Sequence, residues 1–222
     1  MTDKHEEVNE ALVKVQGFWA RFQKPVLGTV TALVLIIGGW YGYQELIAKP
    51  KEEKAADALY KAQQYFAQDS SRLVLNGDGQ SKGVLYIISN FSGTKAANLS
   101  KYYAGVSYLK LGDFNNAVKY LKDFSTDAKQ IQLMAMGCLG DAYAELGKKE
   151  EAIEAYKKAG SSFEKDEANS AEYLFRAGLL SETSGKTKEA LDIYKELKDK
   201  FPKTDKGYQA DKYIYRLSTE KN

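Results

Sequence analysis

Few side chains in this sequence have the types and spacing that chemistry requires. The 222-residue chain carries one histidine, His5, and one cysteine, Cys138. A hydroxyl or thiol nucleophile needs a base within reach, and imidazole is the usual one. With its single imidazole near the N-terminus, the rest of the chain has no histidine triad, histidine metal site or imidazole general base. A lone cysteine excludes an intrachain disulfide and a cysteine-cluster metal site. Among carboxylates, Asp141, Glu145 and Glu182 fall on predicted helices, where a catalytic pair competes with the commoner scattered acidic lining or solvated face. Asn76-Gly77-Asp78-Gly79 has the look of a calcium loop but lacks the spaced oxygen ligands and the closing glutamate, so it reads as a plain turn. Cys138, flanked by Met134, Met136 and Gly140, reads as a small packing residue rather than a reactive thiol. The expectation is a binding protein, not an enzyme, with no catalytic residues, no cofactor and no metal.

Composition agrees. Lys and Arg total 32 against 30 Asp and Glu, for a net charge of +2. That balance makes no case for nucleic acid. Three prolines in 222 residues suit a helical chain.

The strongest linear feature is the uncharged run from Pro25 to Gln44, PVLGTVTALVLIIGGWYGYQ. Twenty residues of helix span about 30 Å, the thickness of a bilayer core. Lys24 and Glu45 bound it, and Trp40, Tyr41 and Tyr43 sit where an aromatic belt meets headgroups. A buried core helix and a cleaved signal peptide are the alternatives. The run is longer than a signal core, and Leu46-Ile47-Ala48 is a poor cleavage site, so an uncleaved anchor in membrane lipid is expected. Lys14, Arg21 and Lys24 before it nearly balance Lys49, Lys51 and Lys54 after it, so charge does not set its orientation. Gly28 and Ala32, and Gly38 and Gly42, are spaced for close helix packing in lipid; glycine is also simply common in such helices. Upstream, in residues 1–24, Val8, Leu12, Val15, Trp19 and Phe22 mark one face of a helix. That segment lies on the membrane surface, packs on a partner, or merely leads into the anchor.

The rest of the chain repeats. Gly105, Tyr108, Gly112, Ala117 and Leu121 recur 35 residues on as Gly140, Tyr143, Gly147, Ala152 and Tyr156. A third copy, at a further offset of 38, holds Gly178, Ser181, Gly185, Ala190 and Tyr194, and ends near Pro202. Gly105, Gly140 and Gly178 let a second helix approach the first. Gly112, Gly147 and Gly185 close the first helix in a left-handed conformation. Ala117, Ala152 and Ala190 keep the second helix close, and Tyr108, Tyr143, Tyr156 and Tyr194 fill the gaps between pairs. The pattern resembles the tetratricopeptide repeat, a helix–turn–helix unit.

The resulting expectation is an all-α chain. A transmembrane helix at 25–44 is followed by a helical linker and degenerate first repeat at 45–93. Three repeats follow at 94–204 and a capping helix at 205–222. Within the degenerate repeat, Glu52–Gln68 reads as a helix with Ala55, Leu59, Ala62 and Phe66 on one face. Gly83–Phe91 is its partner, with a strand as the alternative for VLYIIS. In the cap, Tyr208 and Tyr215 are placed over the last apolar face.

In this repeat class the first helices line a concave groove. Counting from the aligned glycines puts Leu99, Tyr102, Val106 and Leu109 there from one repeat, Met134, Asp141 and Glu145 from the next, and Phe175, Leu179 and Glu182 from the last. An apolar stripe with acidic edges suits an extended or helical peptide carrying basic residues. The alternative is that the cap or the first repeat occupies the groove. Chaperone-tail clamps of this class place Asn just after the aligned glycine; here Val106, Asp141 and Leu179 stand there, which does not support that clamp.

The order of parts is a short polar N-terminus, an anchor ending in Gly39, Trp40 and Tyr41, a charged helix, then repeats. This is similar to the ancillary subunit family of the bacterial SecYEG translocon. The resemblance implies a single-pass inner-membrane protein with a cytoplasmic N-terminus and periplasmic repeats, aiding protein export. Its implied partners are SecYEG and a membrane-anchored chaperone of the peptidyl-prolyl isomerase type. A cytosol-facing import or targeting receptor and a general envelope scaffold are the alternatives.

Overall fold

A computed structural model describes residues 3–219, with side chains from 13 onward. Among the described residues there is no strand, only one isolated antiparallel bridge between Gly77 and Lys82. The chain divides into two compact units, Met1–Lys51 and Glu52–Asn222.

The first unit is helix α1 (Asp3–Tyr43) and a π-helical turn (Gln44–Ala48), leading into the start of α2 (Lys49–Ala67). Pro25 lies inside α1 without breaking it. The anchor expected at 25–44 lies in the helix that is long and apolar enough to cross a membrane; none of its most apolar stretch, of mean hydropathy 1.6, is buried. Open space surrounds Gly28, Gly38 and Gly42, and Ala32 is exposed, so among the described residues of this unit the predicted small-residue stripe packs on nothing. Of the upstream face, Val15, Trp19 and Phe22 are exposed, while the side chains of Val8 and Leu12, like that of His5, lie outside the described residues. The helix runs through 13–24 into the anchor, the geometry of a lead-in.

The second unit is the solenoid. Helices α3 (Ser71–Asn76) and α4 (Val84–Asn90) follow α2. Then come three pairs: α5 (Lys95–Lys110) with α6 (Phe114–Lys122), α7 (Lys129–Glu145) with α8 (Lys149–Ser162), and α9 (Glu167–Thr183) with α10 (Thr187–Lys200). Helix α11 (Asp205–Thr219) ends the described solenoid.

The glycine register accounts for the pairing. A β-carbon on Gly140 would lie 2.5 Å from Tyr156 Cδ1, and one on Gly178 2.6 Å from Tyr194 Cε1. On Gly105 it would collide with the Leu121 side chain. Each collision is with the residue sixteen positions on, in the second helix of the same pair. Ala117, Ala152 and Ala190 are fully buried opposite them. Gly112, Gly147 and Gly185 have φ of +78°, +71° and +75°, the left-handed closure that a side chain disfavours. Two of the four tyrosines stack between pairs as expected, Tyr156 on Tyr173 and Tyr194 on Tyr213, whereas Tyr108 stacks on Tyr120 within its own pair. Tyr156 and Tyr194 therefore fill both the glycine notch within a pair and the gap to the next helix.

The segment before the repeats has three helices rather than two. α3 was not anticipated, and the VLYIIS segment is helix α4 rather than a strand. Its core joins Ala55, Leu59, Ala62 and Tyr65 of α2 to Val74, Leu75, Val84 and Ile87. Tyr65 is the buried aromatic, and Phe66 is only half-buried at its edge. The NGDG loop is a clasped turn: Asp78 accepts from the backbone N–H of Gln80 and Ser81, and the Tyr65 hydroxyl donates to it at 2.6 Å. Glu52 of α2 caps α5, accepting from the backbone N–H of Lys95 and Ala96 at 2.8 and 3.0 Å.

The cap orientation differs from expectation. Tyr208 and Tyr215 are 68% and 74% exposed, and Gly207, Ala210 and Leu217 are buried instead, with Tyr213 and Ile214 beside them. Positions 207, 210, 214 and 217 step by three and four along one face. Gly207 sits against the Phe201 carbonyl, where no side chain fits. That contact rotates the helix and leaves Tyr208 outside.

Gly140→Leu is expected to destabilise the solenoid by about 1–3 kcal/mol or more, because the Tyr156 ring cannot move off α7 without opening the pair. Urea unfolding of the full chain in detergent checks this. An unchanged midpoint would refute the assigned helix register.

Candidate functional site

The candidate site is the row of first helices, α5, α7 and α9, which contact one another in sequence, with α11 against α9. Their ten predicted groove residues divide by exposure. Tyr102, Val106 and Phe175 are each less than a tenth exposed and belong to core clusters. Leu99, Leu109, Asp141, Leu179 and Glu182 are half-buried, Glu145 is exposed, and Met134 is 39% exposed. Tyr102 is enclosed by Phe66, Tyr103 and Phe124. Burial drives its hydroxyl pKa up to about 12. Phe175 is covered by Tyr213 of α11 at 5.2 Å and by the Lys206 ammonium at 4.5 Å. At the last repeat, then, the capping helix covers the aromatic position. Gly137 holds the place in α7 that Tyr102 and Phe175 hold in α5 and α9, and Tyr173 fills that space.

Two of the predicted groove acids, Asp141 and Glu182, have partners within the chain. Asp141 Oδ1 accepts from the Tyr156 hydroxyl at 2.8 Å and from Arg176 at 2.7 Å. Glu182 accepts from the Tyr194 hydroxyl at 3.3 Å and pairs with Arg216 at 2.5 Å. Each is a three-part clasp: a second-helix tyrosine, a first-helix acid, and an arginine from the next first helix. Arg176 also donates from Nε to Glu172 at 2.8 Å, and Lys206 reaches Glu172 at 3.3 Å. The cations lie over rings, Arg176 on Tyr173 and Arg216 on Tyr213, which adds attraction to the ring face. In the first repeat Leu121 replaces the tyrosine and Val106 follows the glycine, and that level is apolar.

Burial, then the neighbouring Asp141 charge, pushes the Tyr156 hydroxyl above its ordinary range. Burial opposes the charge on Glu172, but hydrogen bonds from Arg176 and Lys206 outweigh it and hold the carboxyl below its usual range. Burial, with Asp141 nearby, drives the Cys138 thiol up to about 11, so it stays protonated and poorly nucleophilic. Among the described residues no group of three or more His, Cys, Asp or Glu side chains is arranged to hold a metal.

Arg176, Lys206, Arg216 and Glu172 were absent from the predicted site. A signal for them existed in part: Arg176 follows Asp141 by 35 residues and Arg216 follows Glu182 by 34, close to one repeat length. On the second-helix side, α6 has nine residues where α8 and α10 have fourteen. A cleft of about 530 Å³ opens beside it, lined in part by Phe124, Met136, Leu139 and Tyr143.

The comparisons with known proteins agree with this geometry. The family model described as tetratricopeptide repeat matches residues 102–167 and 139–204. A crystal structure of nearly identical TPR-like repeats from Podosopora anserina, assigned to a kinesin light chain, superposes with a TM-score of 0.53 at 13% identity. It covers 76% of this chain and 87% of its own. Among curated proteins none matches the chain. Residues 102–204 are thus tetratricopeptide repeats, and the chain is all-α with a solenoid of that class. Repeats of this class are protein-binding scaffolds.

Glu172→Gln is expected to lower stability at neutral pH and to flatten its fall on acidification. The folded carboxyl has a depressed pKa, so its contribution is full above the unfolded value near 4.3 and is lost as pH falls through the folded one. Urea midpoints from neutral pH down to about pH 3, well below the unfolded value, measure the slope. A variant slope equal to that of the parent would show that the clasp carries no charge-dependent stability.

Proposed function

We propose that the chain is a membrane-anchored adaptor whose repeats hold a segment of a protein partner along the first-helix row, without catalysis. The observation that carries the reading is the combination of open apolar positions with compensated charges. Met134 is exposed and Leu99, Leu109 and Leu179 are partly open, while Asp141 and Glu182 are occupied by Arg176 and Arg216. Recognition then rests on apolar contact. Basic residues of a ligand would first have to displace an arginine, so only Glu145 remains as an open acid of the predicted set. Tyr102 and Phe175 support this surface from beneath.

The finer reading is an accessory subunit of the Sec translocon in the bacterial inner membrane. Its N-terminus lies in the cytoplasm and its repeats in the periplasm, beside SecYEG and a membrane-anchored chaperone of the peptidyl-prolyl isomerase type. What supports it is the order of the parts, an apolar helix ending in Gly39-Trp40 ahead of the repeats, and no single residue contact. A cytosol-facing receptor has the same order of parts. Protease added outside the inner membrane digests the repeats only if they face the periplasm, and protection of the repeats would reject this reading.

The groove is tested separately. Met134→Asp with Leu109→Asp should leave helix content unchanged, because both side chains are partly open. It should cut recovery of co-isolated partners in mild detergent about thirtyfold, the effect of a lost contact worth about 2 kcal/mol. Unchanged recovery would move recognition off the first-helix row.

A further inference from the structure

The first unit carries two brackets that mark where a bilayer would begin and end. Proline has no N–H, so Pro25 deprives the Arg21 carbonyl of its partner four residues on, and Pro50, just after the π-helical turn, interrupts the ladder at the other end. An unpaired carbonyl is costly in hydrocarbon and harmless in water or headgroups. The two prolines are 25 residues apart, about 37 Å along a helix. Before Pro50, the π-helical turn Gln44–Ala48 widens the ladder, with the Lys49 N–H reaching back to the Gln44 carbonyl. Beside it Lys49 pairs with Glu45. Within the apolar stretch, the Thr29 hydroxyl donates to the Pro25 carbonyl at 2.9 Å, which satisfies a polar group inside the helix.

Aromatic residues lie just inside both brackets or beside them. Trp40, Tyr41 and Tyr43 are at one end, and Phe18, Trp19 and Phe22 at the other, all exposed. Trp19 and Trp40, 53% and 63% exposed, are 21 residues apart, about 32 Å along a helix and close to the thickness of a hydrocarbon core. The Trp19 end also carries Arg21 and Lys24, with the Arg21 guanidinium 5.8 Å from the centre of the Phe22 ring. Long basic side chains at a helix end reach out to the headgroup layer.

We propose that the membrane segment is framed by these brackets, with Trp19 and Phe22 forming a second interfacial belt, and that Arg21 and Lys24 there recruit anionic phospholipid headgroups. This rests on the membrane-anchored reading and extends the segment upstream of Pro25. Residues 19–24 then belong to the interface rather than to a separate surface helix.

The two tryptophans are native probes. Trp40→Phe leaves Trp19 as the only tryptophan, and Trp19→Phe leaves Trp40. Each full-length variant is placed in vesicles of phosphatidylcholine, alone or mixed with phosphatidylglycerol. Depth is read with brominated lipids, and aqueous access with acrylamide. The expected result is the same shallow, protected position for both residues. Brominated phosphatidylglycerol should quench Trp19 more than brominated phosphatidylcholine, by up to about fivefold per basic side chain. Arg21→Gln with Lys24→Gln should abolish that preference and leave the depth unchanged. Trp19 open to acrylamide while Trp40 is protected would overturn the second belt and leave the anchor standing. Both open would overturn the membrane reading itself. A lipid preference that survives the double variant would overturn the assignment of the headgroup site to Arg21 and Lys24.

Discussion

The solenoid depends on one repeated contact, the seating of a large second-helix side chain on a first-helix glycine. Leu121 sits on Gly105, Tyr156 on Gly140 and Tyr194 on Gly178. A methyl group at any of these glycines would occupy space that the ring or the leucine already holds. Each contact brings two helices close enough for a fully buried alanine to complete the seam. Each helix pair hides only part of its apolar surface, and stacking pairs hides the rest. The ring that fills the notch also stacks on the next first helix, Tyr156 on Tyr173 and Tyr194 on Tyr213. In the last two pairs, therefore, Tyr156 and Tyr194 each serve both intra-pair and inter-pair packing.

Choosing tyrosine over leucine at that position has an electrostatic consequence. A ring laid across the glycine delivers its hydroxyl to the first-helix face, where an unpaired polar group under partial burial is costly. Asp141 and Glu182 meet it. A carboxylate brought to that depth needs a counter-charge, which Arg176 of the next repeat or Arg216 of the capping helix supplies. The chain solves this twice with different geometry. Asp141 is one residue after its glycine, and Glu182, with its longer side chain, is four after. Where Leu121 takes the notch there is no hydroxyl, and Val106 stands where Asp141 stands in the next repeat. Asp141 and Glu182 are thus consequences of packing, which is why the proposed recognition falls to the apolar positions between them.

The periodic parts were legible in the sequence because their cause is local. A glycine sixteen residues before a large side chain, a left-handed glycine closing the first helix, and an alanine facing both recur at fixed offsets. Side-chain partners across repeats were not legible in the same way. Asp141 and Glu182 lie on the first helices as expected, yet their partners Arg176 and Arg216 lie on the next repeat and on the capping helix, where only the stacking distance brings them near. The burial of Tyr102 and Phe175 depended on neighbours from α2 and α11, outside the three aligned copies. In α11 the misplaced tyrosines have a backbone cause: Gly207 against the Phe201 carbonyl sets the rotation of the helix. Helix α3 was missed because six residues carry too little periodicity to separate from a loop.

The same reasoning from backbone groups separates the two units. In the solenoid the special residues serve helix pairing: the notch glycines and buried alanines allow close approach, the left-handed glycines close the first helices, and Glu52 caps α5. In residues 13–48 the glycines have open space around them, so close packing within this chain does not explain them. Their neighbours are apolar and exposed, and the backbone irregularities, Pro25 and the π-helical turn with Pro50, stand at the ends of the apolar stretch rather than within it. In water there would be no reason to keep the middle of such a helix free of unpaired carbonyls and charge. In hydrocarbon both are required, because nothing there can hydrogen-bond to an exposed backbone group. The distribution of irregularities along this helix is the one that the proposed bilayer anchor requires.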